Sequence, residues 1–508
     1  MYEEGSNQMS NLHIDIYAGL LDRLLQKAAA ARVYLIARLQ RAEVRSVTVT
    51  NGKTESISTG LGQGLGLQVF TESGHTAFAA TDILTEGAAL TALETAVKSA
   101  RAAAGAGLEA NRAVFNVSPI SARVIPPTRY AIDELSLAEL QQQVETINRD
   151  VLALNSELKA RTSCTIEREE WHIVRSDGAS VAYLLPRCYC YNVVTARRDE
   201  QVHTVSSSLS GSSYEVVLDA ERRAVLLGRA RRAADLAVAL LDAPDYPAGS
   251  YDLVLDYALA KGLAHEAFGH AAEADGLRSS ILGDDQGRFR TGAVVAAPIV
   301  SIIDESIEGD HAYQPFSPNG VPRTRATIID HGVLREALAD VFSADAAGVR
   351  VIDAARAQSY ARPAVPRMTN IRIEVDDPLP LPRAVPFEEQ TPEDVRQALL
   401  TAGLLREGRP VIYLSGYKGG QVNPARGDFV FNCAALYELT TEGVRLFQPA
   451  IFSGRTLAAL KAIKAGFGPL QLDSMGFCGK MGQSVPSSGG SHFFLFLEAN
   501  PQVVIGGR

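Results

Sequence analysis

The chain switches repeatedly between a two-residue and a helical hydrophobic period, and this switching restricts the fold more than any other feature. "SVTVTNGKTESISTG" reads as a strand, an Asn-Gly turn and a second strand. "LGLQVFTESGHTAFAATD" repeats the pattern around a Gly-containing turn. Helical periodicity brackets these hairpins. It marks an opening helix through "LHIDIYAGLLDRLLQKAAAARVYLIARLQRAE", and further helices in "LTEGAALTALETAVKSARAAA" and "SLAELQQQVETINRDVLALNSEL". "CTIEREEWHIVRSDGASVAYLLPRCYCYNVVTARRDEQVHTVSSSLSG" reads as an antiparallel meander. The fold class expected is α+β, with hairpins packed on long helices.

A chain of 508 residues exceeds one ordinary core. "DAPDYPAGSYD", with two prolines and a glycine, places a boundary near residue 245. The expected units are 1–245, an α+β domain, and 246–508, a β-rich domain in the manner of a barrel or sandwich. Strand-like runs in the second half include "AVVAAPIVSIID", "RATIIDHGVL", "NIRIEV", "VIYLSGY" and "HFFLFLEA". Helices are expected around "EALADVFSADAAGV", "PEDVRQALLTAGL" and "GRTLAALKAIKAG", and over the histidine stretch described below.

Several function classes recede on composition. A net charge of -9 argues against binding nucleic acid by phosphate neutralisation. The arginines of "ERRAVLLGRARRAADLAVALL" read as a solvated face of a packed helix. No apolar run reaches the roughly 18 residues of a membrane span, and the acidic, polar opening "MYEEGSNQMSNLHIDIY" does not read as a signal peptide. Five cysteines make no disulfide framework, so a cytoplasmic setting fits. Cys188 and Cys190 alternate in a strand pattern and read as structural thiols on one face, and Cys433 reads as core. The glycines of "STGLGQGLGLQVF" lack the following helix that a dinucleotide fingerprint needs.

The stretch that carries chemistry is "KGLAHEAFGHAAEAD". His265 and His270 could serve as metal ligands, with Glu266 placed as general base for a metal-bound water. Their spacing is awkward. Five residues on an ideal α-helix leave the rings about 140° apart. A distorted helix or π-bulge would bring them together, and Gly269 could permit the distortion. A catalytic zinc needs a third protein donor. Glu273, Asp275, His492 and Cys478 are candidates, Cys478 standing out in the glycine-flanked "DSMGFCGKMGQSVPSSGG".

These residues together resemble the TldD/PmbA family of metalloproteases, whose TldD-type members carry H-E-x-x-x-H and a distant cysteine. "LAHEAFGHAAEAD", "SYARPAVPRMTNIRIE", "GGQVNPARGDFVFNCAALYEL" and "GFCGKMGQSVP" resemble family segments in the same order, and "GLGLQVFTESGHTAFAATDILT" resembles its N-terminal hairpins. The likeness runs from about residue 15 onward. It implies Zn2+ held by His265, His270 and Cys478, with Glu266 as catalytic base. It implies a hydrolase of unfolded or flexible peptides, natural-product precursors among them, bound in extended form. It also implies a dimer, either a homodimer or a heterodimer with a TldE-like chain. "GLRSSILGDDQGRFRTGAVVA" and "VPSSGGSHFFLF" depart from the family pattern, and His492 falls in the second. Such departures leave open a hydrolase or tailoring enzyme acting on a small-molecule amide or modified amino acid. A non-catalytic peptide-binding subunit is the remaining alternative, and it has no need of Glu266.

Overall fold

A computed structural model describes residues 12–130 and 132–506. The acidic opening segment, residues 1–11, lies outside the described residues. The chain is a mixed, sheet-rich α+β protein built on two large sheets.

The first sheet has seven strands, and its frame is the long hairpin Tyr34–Thr50 and Lys53–Phe70. Asn51 and Gly52 both take positive φ, 50° and 76°, as a two-residue hairpin turn of matching twist requires. Leu158–Arg175, Ser180–Arg198 and Gln201–Gly211 continue the sheet as an antiparallel meander. Helices Ala18–Ala30 and Glu86–Gly105 cover one region of it, and Leu137–Leu152 and Ala220–Ala239 another.

Differences from the sequence reading have local causes. The opening helix stops at Ala30, and "VYLIARLQRAE" is strand. Leu35, Ala37 and Leu39 enter one core while Ile36 enters another. A strand buried on both faces gives an unbroken apolar run that periodicity cannot separate from a helix. The "EALADVFSADAAGV" helix is a single turn, Ala344–Ala347. The helix of "GRTLAALKAIKAG" ends at Ala462 and passes straight into strand Ile463–Gln471. Cys188 and Cys190 share one core with Cys164, and all three thiols are free and buried. Cys433 is likewise buried in the large core of the second half. The basic helix face is only partly solvated: Arg231 is exposed, but Arg229 is not free. Arg229 bonds Glu388 at 2.7 Å and Asp473 at 2.6 Å, tying the helix to the second half.

The second sheet has thirteen strands and branches at Gln483–Leu497, in place of the expected barrel or sandwich. Asp252–Asp256 lies between Gln483–Leu497, antiparallel to it, and Val411–Asn423, parallel to it. All five of its residues are buried. Its last residue, Asp256, caps helix Tyr257–Gly262. One carboxylate oxygen accepts the Leu259 N–H at 2.9 Å, and the other accepts the Gly416 N–H at 2.6 Å. The segment bearing both histidines therefore starts at the end of a central strand.

The glycine run at 60–66 lies within strand Lys53–Phe70. A Cβ on Gly66 would stand 2.0 Å from the Tyr360 carbonyl oxygen, whereas one on Gly62 would meet nothing within 4 Å. These glycines thus split into positions that admit the 360 loop and positions that are free. Gly66→Ala should lower stability by about 1–3 kcal/mol, because backbone must move. Gly62→Ala should stay within about 0.5 kcal/mol of the parent. Chemical denaturation of the two variants checks the difference.

Candidate metal centre

The helix that begins at Tyr257 widens into a π-helical turn over Leu263–Gly269. The His270 N–H donates to the His265 carbonyl, five residues back. That bond closes the wider ring of a π-turn and stacks residues five apart on one side. The two imidazoles consequently lie edge to face with centroids 5.2 Å apart. Gly269 has ordinary helical angles, φ -58° and ψ -46°. Its requirement is room: a Cβ there would come 2.1 Å from the Met368 sulfur and 3.0 Å from Ile371. Met368 and Ile371 belong to the "RMTNI" segment, which packs directly under the turn.

Cys478 arrives on a hairpin, Gly476–Lys480 paired with Gln483–Leu497, in which it sits opposite Val485. Met481 and Gly482 turn the hairpin with φ of 51° and 67°. The glycine-flanked cysteine segment is thus a tight hairpin rather than a loop. One donor atom each from His265, His270 and Cys478 falls within 4.8 Å of the others. Cys478 Sγ lies 3.6 Å from His270 Nε2. Tetrahedral zinc with these donors spaces its ligand atoms roughly 3.3–3.8 Å apart.

The donor set fits a zinc ion on a further ground. His265 is fully buried, and neither ring nitrogen has a hydrogen-bond partner. Burial, reinforced by Lys261, holds its pKa well below the usual histidine value, so the ring is neutral and free to coordinate. His270 behaves oppositely. Burial pushes it down, but hydrogen bonds to Cys478 and Glu273 prevail and raise it to about 10. Burial raises the Cys478 thiol, yet His270 and Arg367 outweigh it and bring the pKa below the ordinary value. Arg367 also donates to the Cys478 carbonyl.

Glu273 and Asp275 do not join the donor cluster. Glu273 accepts from His270 Nδ1 at 3.2 Å, which leaves Nε2 facing the sulfur. Lys480 holds Glu273 at 2.9 Å and Asp275 at 2.7 Å. A carboxylate behind a metal-facing histidine fixes its tautomer and ring plane. The i, i+3 spacing from His270 was the sequence signal for this role. His492 is also apart from the cluster. Its Nδ1 bonds the Gly468 carbonyl at 2.9 Å, and its ring packs against Gly466. Glu266 Oε2 is 3.7 Å from His270 Nε2. The side chains of Glu266 and His270 keep 24% and 16% exposure, so the cluster opens toward them while His265 closes the back.

The PmbA/TldA metallopeptidase models match in three parts: domain 1 over residues 37–104, the central domain over 130–241 and the C-terminal domain over 248–482. The last includes all three clustered donors. The chain belongs to the PmbA/TldD family of metallopeptidases. A metalloprotease of Methanocaldococcus jannaschii is 26% identical over 92% of this chain and 96% of its own length. A zinc metalloprotease TldD homolog of Saccharolobus solfataricus is 28% identical over 48% of this chain and 50% of its own. TldE from Thermococcus kodakarensis shares the fold with a TM-score of 0.71 at 14% identity, over 96% of this chain and all of that one. Among the described residues, no helix is long and apolar enough to cross a membrane.

Metal capture must displace the proton that metal-free His270 holds. Zinc uptake at mildly alkaline pH should release a proton, and affinity should weaken as pH falls. Calorimetry in buffers of different ionisation enthalpy reads the release. Glu273→Gln should lower zinc affinity about 10–100-fold.

Proposed function

We propose that this chain is a zinc-dependent metallopeptidase that hydrolyses peptide bonds of unfolded or flexible peptides. The observation that carries the reading is the convergence of His265, His270 and Cys478 beside a partly exposed Glu266. Bound there, zinc would supply Lewis acidity toward a substrate carbonyl and acidify a water. His265 and His270 would hold it through ring nitrogens and Cys478 through its thiolate. The names of the relatives support the metal and the reaction class.

Glu266 takes the proton of the attacking water and returns it to the leaving amine, the ordinary double duty of a carboxylate base. Its residual exposure leaves it reachable from the substrate side. Glu273 keeps His270 in register, and Lys480 keeps Glu273 charged and fixed. Beyond the donors, which line neither, lie a cavity of about 250 Å³ lined by Tyr257, Tyr417 and Met475 and one of about 240 Å³ lined by Glu167, Glu169, Arg187, Arg356, Phe477 and Val485. Phe477 and Val485 flank or face Cys478 in the hairpin. This layout suits a chain passing along the cleft in extended form. Assembly as a homodimer, or with a TldE-like chain, and a cytoplasmic setting complete the reading.

Glu266→Gln should retain full zinc stoichiometry by atomic absorption and lose turnover about 10²–10⁴-fold on a mixture of unstructured peptides followed by mass spectrometry. Equal rates in the variant and the parent would remove Glu266 from the mechanism. Chelator-resistant cleavage would remove the metal.

A further inference from the structure

The walls around the three donors carry more buried positive charge than their own acids neutralise. Lys261, Arg356 and Arg367 are 5%, 1% and 0% exposed. Arg187 and Arg323, close behind, have carboxylate partners: Glu169 at 3.1 Å and Asp304 at 2.6 Å. The first three have none among the described residues. Lys261 Nζ reaches only the Ser487 hydroxyl, at 3.4 Å. Arg356 donates to the Gln314 amide oxygen and the Met368 carbonyl, both at 2.9 Å, and to the Pro486 carbonyl. Arg367 donates to the Cys478 carbonyl, while its Nε and Nη1 are buried without partners.

A zinc ion with one thiolate carries a net single positive charge, which Glu266 balances. Near the three cations that leaves Asp310, whose carboxylate already accepts from Ser488 and Asn370, so buried positive charge stays in excess. An isolated buried cation costs several kcal/mol unless an anion joins it. Burial lowers the Lys261 pKa, and burial with repulsion from Arg323, Arg187 and Arg367 brings Arg356 down to about 9. Lys261 precedes His265 by four residues and so shares the face that carries the first donor. A Cβ on Gly476 would come 3.2 Å from its Nζ, so the ammonium packs against the hairpin where it carries no side chain. Arg356 lines the 240 Å³ cavity beside the hairpin.

We infer that Lys261, backed by Arg356 and Arg367, forms a carboxylate-binding subsite beside the metal centre, so that this chain selects substrates with a carboxylate close to the bond it cuts. The inference rests on the peptidase reading only for what the bound carboxylate belongs to. One helical turn separates Lys261 from His265, about 6 Å along the axis. An extended residue spans about 3.5 Å. The carboxylate therefore lies within roughly two residues of the scissile carbonyl. A C-terminal carboxylate and an Asp or Glu side chain present the same chemistry.

The test is equilibrium binding to the zinc-loaded full chain bearing Glu266→Gln, read by fluorescence anisotropy. The probes are one labelled alanine pentapeptide as free acid and as C-terminal amide, plus amidated versions with Glu or Gln at the penultimate position. At least one acid form should bind about tenfold more tightly than its neutral counterpart, and Lys261→Met should abolish that preference while Lys261→Arg keeps it. A preference only in the free-acid pair assigns the site to a chain terminus, and one only in the Glu–Gln pair to an acidic side chain. Equal binding of acid and neutral forms, no binding of any probe, or a preference unchanged in Lys261→Met overturns the inference. Lys261→Gln serves as the second neutral variant if Lys261→Met does not fold. A Lys261-dependent acid preference in a protein whose Glu266 parent cleaves no peptide would keep the subsite and discard the peptidase reading.

Discussion

One backbone hydrogen bond, from His270 N–H to the His265 carbonyl, decides whether the rest of the centre exists. In an α-helical register the two rings would point about 140° apart, and no third donor could join both. The π-turn is expensive in isolation, since its hydrogen bonds are poorly aligned and its axis is loosely packed. Here it is enforced from both ends. Asp256 locks the start of the helix to the neighbouring strand Val411–Asn423. Met368 and Ile371 fill the space that Gly269 leaves at its end. The turn is stable because the sheet beneath it has been shaped to receive it.

Around that turn the protein separates coordination from charge control. The donors come from one helix and one hairpin. Their protonation is set by groups outside the cluster: Glu273 behind His270, Lys480 behind Glu273, and Arg367 against the backbone of Cys478. The opposite shifts of the two histidines follow from this division. His265 meets only burial and positive charge, whereas His270 meets the Cys478 sulfur and a carboxylate. Two imidazoles 5.2 Å apart thereby receive different tasks.

Much of this was legible in the residues. The Asn51-Gly52 hairpin, the meander and the long helices follow from alternation, turn chemistry and helical period. The five-residue histidine spacing pointed to a distorted helix before any coordinates, because no regular one serves. Legibility failed where burial is two-sided. Residues 33–43 read as helix because Leu35 and Ile36 face different cores, and local period carries no information about a second core. It also failed where a role depends on a partner distant in sequence. Glu273 and Asp275 have the chemistry of ligands, and only Lys480, some two hundred positions later, shows that they are held elsewhere. The arginines of Ala220–Ala239 resembled a solvated face because Glu388 and Asp473 are equally remote.

The distance along the chain between the histidine helix and the Cys478 hairpin has a bearing on synthesis. A ribosome delivers the two histidines long before it delivers the sulfur. Between them come the strands that press Met368 beneath the turn and the strand that Cys478 must pair with follows last. Domains of a growing chain fold roughly in the order they emerge. The cluster of His265, His270 and Cys478 therefore cannot assemble on a partly translated chain until nearly all the surrounding wall is in place. The order of these three residues along the chain acts as a timer on the assembly of the cluster.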